Sequence, residues 1–350
     1  MSKKDPFFKT HLLEKSLQYA FKNCIPLVST IEITQTCNFK CSHCYNYDRT
    51  GPMPKATKDN QMTKEQVYQV IDGLGELGAL YINFTGGEAT ASPHLEDYIA
   101  YVRSLHMEPR LKSNGALIDK EKCEKLVNAG LGGVDISLYG ATEEVYQDFT
   151  GIKNSLSTSL AGIDRLKESG VDLHISIIIH RRNVHQLSEM IEICNQRSLN
   201  FQLSLEVTDR YDDSNGAREN EITSEQFIDL LKGPYKEYFN GKNTEKAVQC
   251  SCARSVCGIS SSGDVYPCIG APIKSGNINE TSLVDIWKNS KELNKIRNIK
   301  ETDFKSCQTC DYIESCNRSS GSVYINTGDY TGCDPTIYKQ AKIKHDLSSK

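Results

Sequence analysis

Six times between residues 27 and 207 a short run of strand character gives way to a stretch with helical spacing. The runs 27–34 (LVSTIEIT), 80–85 (LYINFT), 110–113 (RLKS), 133–139 (GVDISLY), 171–179 (VDLHISIII) and 200–207 (NFQLSLEV) read as strands. Between the first two, Val67, Val70, Ile71 and Leu74 fall on one helical face. Ser92 is placed to cap the next helix and Gly130 to end the third, with further helices expected through 159–170 and 184–196. Strands joined by helical crossovers pair in parallel, because a crossover returns the chain to the same end of the sheet. The expected fold class is therefore α/β, and six units rather than eight point to a partial (β/α)6 TIM-like barrel. Barrels of this kind gather their chemistry at the C-terminal ends of the strands. Cys37 stands just past the first strand, on that rim.

The rhythm breaks after 207. A polar, turn-rich stretch leads into a helix interrupted near Gly233-Pro234, and from 250 the chain turns short-looped and cysteine-rich. Such a segment suits a small metal-stapled domain. The expected divisions are a helical extension (1–26), the barrel (27–207), a linker with a bridging helix (208–249), a cysteine-rich domain (250–338) and a tail (339–350).

Fourteen cysteines are many for a chain with no signal-peptide-like N-terminus and no stretch apolar enough to span a bilayer. The expected location is the cytoplasm, with no membrane partner. A reducing cytosol keeps thiols unpaired, so clustered cysteines there point to metal. Eleven lie in three groups, 37–44, 250–268 and 307–333. Cys123 and Cys194 keep helical step with apolar neighbours and read as core; Cys24 gives no reading. A net charge of −4 without a basic block offers nothing to nucleic acid. The stretch GLGELG (73–78) matches a dinucleotide fingerprint but ends a helix instead of opening one, so it reads as helix termination.

Cys37, Cys41 and Cys44 form C-x3-C-x2-C. Three thiolates on one loop suit three irons of a [4Fe–4S] cluster, the fourth iron staying open to a small ligand. Zinc, with His43 as fourth donor, remains the alternative on spacing alone.

At this point the sequence resembles the radical S-adenosylmethionine (radical SAM) enzymes. In that family this motif holds the cluster, an aromatic residue neighbours the last cysteine, as Tyr45 does here, and the open iron is chelated by SAM. The resemblance implies reductive cleavage of SAM to a 5′-deoxyadenosyl radical that abstracts hydrogen from a substrate. It also implies a flavodoxin- or ferredoxin-type reductant. TGGEAT (85–90) follows the second strand where the family places its GGE motif, nominating Gly86, Gly87 and Glu88 for the SAM amine. Glycines let backbone carbonyls approach a ligand, and a carboxylate balances an ammonium. LKSNG (111–115) nominates Ser113 and Asn114, DISLYG (135–140) nominates Ser137, and Ile177 is a candidate for adenine packing with plain core as its alternative.

The later cysteines resemble the SPASM extension of that family. Cys252, ten residues, Gly263, four residues and Cys268 match its first part, and Cys307, Cys310 and Cys316 its C-x2-C-x5-C run, followed by Cys333. A zinc ribbon stays open on spacing alone. The resemblance implies two auxiliary [4Fe–4S] clusters, three in all. The family's next cysteine falls at Ser320, so Cys250 is expected to replace it, giving Cys250, Cys252, Cys257 and Cys268 for one cluster and Cys307, Cys310, Cys316 and Cys333 for the other. Ile269 stands where sulfatase-maturing relatives carry an Asp base, which argues against that activity.

Relatives of this type commonly modify ribosomally made peptides by cross-link, thioether or epimerisation. A precursor peptide is thus the expected substrate, with a separate leader-peptide recognition protein as a further partner. A small-molecule dehydrogenase or modifier is the alternative, and a non-enzymatic electron carrier a more distant one. No acid or base is identifiable; Glu206, Asp209, Tyr211 and Tyr266 are only neighbours of strand ends.

Overall fold

The computed structural model describes residues 11–214, 216–239 and 250–348, with backbone alone at 11–13. The expected rhythm is present as strands β1 Val28–Thr34, β2 Tyr81–Gly86, β3 Glu108–Ser113, β4 Gly133–Leu138, β5 Asp172–Ile178 and β6 Asn200–Ser204. They pair in parallel in sequence order. Helices Lys64–Glu76, Leu95–Ser104, Lys120–Asn128, Ser155–Ser169 and Leu187–Gln196 supply the crossovers. Ile31, Phe84, Leu111, Ile136 and Ile175 form the buried layer between sheet and helices. Full burial of each contributes about 1.5–3 kcal/mol.

Local details depart from expectation. Ser92 does not cap its helix; His94 holds that position without a side-chain bond, while Thr63 builds a full capping box with Gln66 on the helix before. An extra helix, Glu143–Thr150, capped by Thr142, precedes Ser155–Ser169. The sixth strand stops at Ser204. Beyond it, helix Ser224–Lys232 breaks at Gly233 into a short 3-10 turn, Lys236–Tyr238; the expected bridging segment at 240–249 lies outside the described residues.

The cysteine-rich part is not set apart from the barrel. Strand β7, Val256–Ile259, pairs in parallel with β1 from Val28↔Val256 to Ile31↔Ile259. Strand β8, Val265–Tyr266, adds antiparallel to β7. One eight-stranded sheet results, in the order β6-β5-β4-β3-β2-β1-β7-β8. Helix Leu283–Asn289 packs on Lys64–Glu76, where Leu283 lies close over Gly73. Helix Ser320–Thr327 approaches the 268–271 loop so closely that a Cβ on Gly321 would stand 2.1 Å from Gly270 O. The expected boundary at 338 falls inside a continuous helix, Pro335–Ser348. Among the described residues no helix is long and apolar enough to cross a membrane.

Candidate active site

The loop leaving β1 carries Cys37, Cys41 and Cys44 to the C-terminal rim of the sheet. There they line a cavity of about 410 Å³ with the ends of β2, β3 and β4. The end of helix Glu143–Thr150 sets the loop's height: Lys40 N–H donates to Thr150 O (2.8 Å) and Ser42 N–H to Phe149 O (3.1 Å). Burial pushes the Cys37 thiol up to about 11 and the Cys41 thiol well above its ordinary range. Thiolates in such a place need a cation. One is present in Arg49, a residue only 6 % exposed. Its Nε donates to Cys44 Sγ (3.0 Å), Nη1 to Gln35 O (2.7 Å) and Nη2 to Gln35 Oε1 (3.1 Å).

Aromatic rings form one wall. His43 stacks on Phe149 with centroids 4.6 Å apart, and Phe149 on His180 at 3.7 Å. Burial first, then the neighbouring His180, lowers His43 to about 3, so its imidazole is neutral. Its Nδ1 has no hydrogen-bond partner among the described residues. Tyr45 also lines the cavity, but its hydroxyl donates to buried Glu32 (3.0 Å) and its ring leans on Tyr211 at 4.9 Å.

The residues expected at the strand ends meet here, for partly different reasons. Gly86 and Gly87 are required by the neighbouring loop. A Cβ on Gly86 would lie 2.0 Å from Thr34 O, and one on Gly87 2.4 Å from Thr36 O. Their smallness lets Gly87 N–H and Glu88 N–H bond Thr34 O and Thr36 O (both 2.8 Å), clamping the cysteine loop to β2. Glu88 is buried and its carboxylate is fully engaged. Oε1 accepts from Thr90 N–H (3.0 Å), Thr90 Oγ1 (2.6 Å) and Ser113 Oγ (2.7 Å), and Oε2 from Asn114 N–H (2.8 Å). It therefore ties β2 to β3. Asn114 reaches back to Asn38 (2.8 Å) in the cysteine loop. Ser113, Asn114 and Ser137 all line the cavity. Ile177 does not: it sits in the core between sheet and helices, and Ile178 lines the cavity instead. Successive strand residues face opposite sides, and for Ile177 the core alternative holds.

A family profile described as "Radical SAM superfamily" matches residues 31–194, and one described as "Iron-sulfur cluster-binding domain" (SPASM) matches 250–311. The chain belongs to the radical SAM enzymes with an SPASM domain. It is similar to the AdoMet-dependent heme synthase of Methanosarcina barkeri, at 26% identity over 91% of this chain and 98% of the relative. It is also similar to the PqqA peptide cyclase of Bradyrhizobium diazoefficiens, at 26% identity over 95% and 93%. It shares its fold with native anSMEcpe solved with bound AdoMet, at a TM-score of 0.70, 16% identity, and coverage of 93% and 97%.

A radical SAM domain binds SAM on a [4Fe–4S] cluster, and an SPASM domain binds iron–sulfur clusters. The donors in this radical SAM enzyme fit the first group: three half-buried thiols, a cation at one of them, and an orphaned imidazole nitrogen beside them. Among the described residues no Cys, His, Asp or Glu side chains converge to hold a single metal ion. A cubane takes its thiolates at separate irons and does not require such convergence.

The SPASM thiols form two further groups. Cys307, Cys310, Cys316 and Cys333 surround a cavity of about 380 Å³, and burial pushes Cys316 up to about 11. The other group departs from expectation. Cys252 Sγ lies 2.8 Å from Cys268 Sγ and also contacts Cys250, whereas Cys257 is not brought to them. Cys257 sits in β7, 1 % exposed, with its Sγ beside Gly258 O and Tyr266 O. It was expected in the ligand set, but the strand turns it into the core. Cys268, Ile269 and Gly270 reach the cavity beside Cys44, and Ile269 O accepts from Tyr211 Oη.

Sequence reasoning passed over Arg49, which no spacing rule singles out, and left Glu206 as a mere neighbour. Glu206 lines the SAM-side cavity and a second one of about 290 Å³. Burial raises its carboxyl above the ordinary range, and Ser322 Oγ donates to it. Of the other neighbours, Tyr211 lines the cavity. Asp209 takes part in an ion pair with Arg218 at 3.8 Å, and Tyr266 lies in β8.

Proposed function

We propose that this radical SAM enzyme modifies a ribosomally made precursor peptide, forming a cross-link, thioether or epimerised residue. The observation that carries the reading is the shape of the site. The 410 Å³ cavity adjoins the 290 Å³ chamber, the two sharing Glu206, Val207, Ser319 and Ser322. The second chamber mixes apolar Leu203, Ile222 and Phe227 with Asp334 and Lys344. A run of space lined this way suits an extended chain with alternating side chains better than one compact molecule. The peptide substrate named for the similar PqqA cyclase supports the same class.

Three [4Fe–4S] clusters belong to this reading. Cys37, Cys41 and Cys44 hold the first, Cys307, Cys310, Cys316 and Cys333 a second, and the 250–268 thiols a third, within a functional unit of about residues 250–338. Bound at Cys37, Cys41 and Cys44 and reduced by a flavodoxin or ferredoxin, the first cluster would supply the one-electron chemistry of SAM cleavage. The protein's part is placement. Gly86 and Gly87 offer backbone carbonyls to the SAM amine, Glu88 fixes the β2 and β3 ends, and Asn114 and Ser137 face the nucleoside side. For a cross-link or thioether, Glu206, at the junction of the chambers, accepts the substrate's proton at its carboxylate, and the electron left over would pass to an auxiliary cluster. A leader-recognition protein and a cytoplasmic location complete the proposal.

The test is anaerobic incubation with reductant, SAM and candidate precursor peptides. 5′-Deoxyadenosine is the expected result, together with a peptide mass lower by a hydrogen pair for a cross-link or thioether, or an unchanged mass that gains one deuterium in heavy water for an epimerised residue. A second reading, modification of a tetrapyrrole, is favoured by the heme synthase similarity; turnover of a tetrapyrrole with no change in any peptide would replace the first reading with it.

A further inference from the structure

The thiols nearest the SAM-side cavity are one short of a set. Cys250, Cys252 and Cys268 are gathered, but a [4Fe–4S] cluster has four irons to ligate. Two residues that sequence would nominate for the fourth place are occupied elsewhere. Cys257 lies in the core, on β7. Ser320 is 1 % exposed, and its Oγ accepts from Arg318 Nη1 at 2.5 Å. A third residue faces the thiols. Tyr330 Oη lies 2.9 Å from Cys250 Sγ and is also a hydrogen-bond partner of Cys252. Cys268 is the remaining thiol close enough to act on it electrostatically. Its backbone is held in place: Arg318 Nη2 donates to Tyr330 O (2.5 Å), Nε donates to Gly332 O (3.1 Å), and the guanidinium packs over Phe304 at 4.8 Å. The arginine that engages Ser320 thus also fixes the loop that presents the phenol.

We propose that the auxiliary cluster beside the SAM cavity is held by Cys250, Cys252, Cys268 and the phenolate oxygen of Tyr330. This rests on the reading that the 250–268 thiols carry a cluster. Ligation forms an iron–oxygen bond and releases the phenolic proton to solvent, as metal ligands must be deprotonated. No electron is exchanged in that step. An oxygen donor is harder than a thiolate and favours the oxidised iron. It also closes the cluster, so substrate does not bind at that iron.

Full-length protein, reconstituted anaerobically, is compared as wild type, Tyr330→Phe, Cys250→Ala and Cys257→Ala. Phenylalanine keeps the ring, so the packing around residue 330 survives. Iron and sulfide are counted per chain. Resonance Raman spectra are recorded on oxidised protein grown with ordinary or ring-deuterated tyrosine. The proposal expects tyrosine ring modes enhanced through iron in the wild type. They shift with the label and vanish in Tyr330→Phe, while Cys257→Ala keeps full iron and the same modes. It is overturned if the wild type shows no such modes, if Tyr330→Phe leaves them unchanged, or if Cys257→Ala loses as much iron as Cys250→Ala. Wild-type protein whose iron is unaffected by Cys250→Ala and accounted for by the other two cysteine groups would fail the underlying cluster reading, and with it this assignment. The other outcomes strike Tyr330 alone.

Discussion

The two cysteine sites that share the main cavity are built on opposite plans. Cys37, Cys41 and Cys44 come from one loop of eight residues, held from outside by Phe149, Thr150 and Arg49. Cys250, Cys252, Cys268 and Tyr330 come from three stretches that meet only after β7, β8 and helix Ser320–Thr327 are in place. In the first, spacing alone determines which residues meet. In the second, nearness in sequence to Cys252 and Cys268 nominated Cys257, and the pleat of β7 overruled it. A site contained in one loop is legible from its intervals, whereas one assembled across a sheet depends on which way each strand residue faces.

The comparison is most directly broken at the compact site, which has no spare donor. Cys41→Ala should remove 5′-deoxyadenosine formation to below detection and about four irons per chain, with circular dichroism and the remaining iron unchanged. Loss of all iron would show the two plans to be interdependent.

Glu206→Gln separates SAM cleavage from substrate chemistry. Modified product should fall by roughly 10²–10⁴-fold, the usual range for a general base, while abortive 5′-deoxyadenosine persists. Burial raises the Glu206 carboxyl, so the carboxylate form, and wild-type turnover, should grow as pH climbs through that raised value. The stability it contributes runs the other way: the fold favours the protonated form, and that contribution fades as pH rises through the same value. A pH profile identical in the Gln variant would remove Glu206 from the mechanism.

Arg49→Gln gives a smaller effect and sharpens the comparison. One charge-assisted hydrogen bond is worth about 1.5–3 kcal/mol. If all of it favoured the reduced cluster, the midpoint potential would drop by up to about 60–130 mV. Electrochemistry with paramagnetic resonance detection checks this, and the potentials at the assembled sites should stay put.

Most of the architecture could be read before any coordinates because parallel strands and their crossover helices write two different periods into the chain. What escaped was short or positional. Strand β7 has four residues, too few to show a period, and its neighbour in the sheet is more than two hundred residues earlier. Helix Glu143–Thr150 is only eight residues long, and its signals, the Thr142 cap, the Tyr146 and Phe149 face and the left-handed Gly151 stop, were passed over. Ile177 and Ile178 differ by one step, and apolar residues at both left parity undecided. Glu88 was legible as a motif but not as a carboxylate already supplied with four donors. Arg49 and Tyr330 carried no signal, since each acquires its meaning from a loop folded around it.

The pairing of Val28 with Val256 has a temporal consequence. As the chain is made, β1 emerges early and waits with one edge bare until residues 256–259 follow. Contacts so distant along the chain form late and expose an unpaired edge in the meantime. The barrel's first strand is therefore sealed by the same segment that brings Cys250, Cys252 and Cys268 to the rim. Completion of the sheet and assembly of that thiol group are one event, and a chain truncated before residue 256 would be left with an open β1 ready to pair with its neighbour.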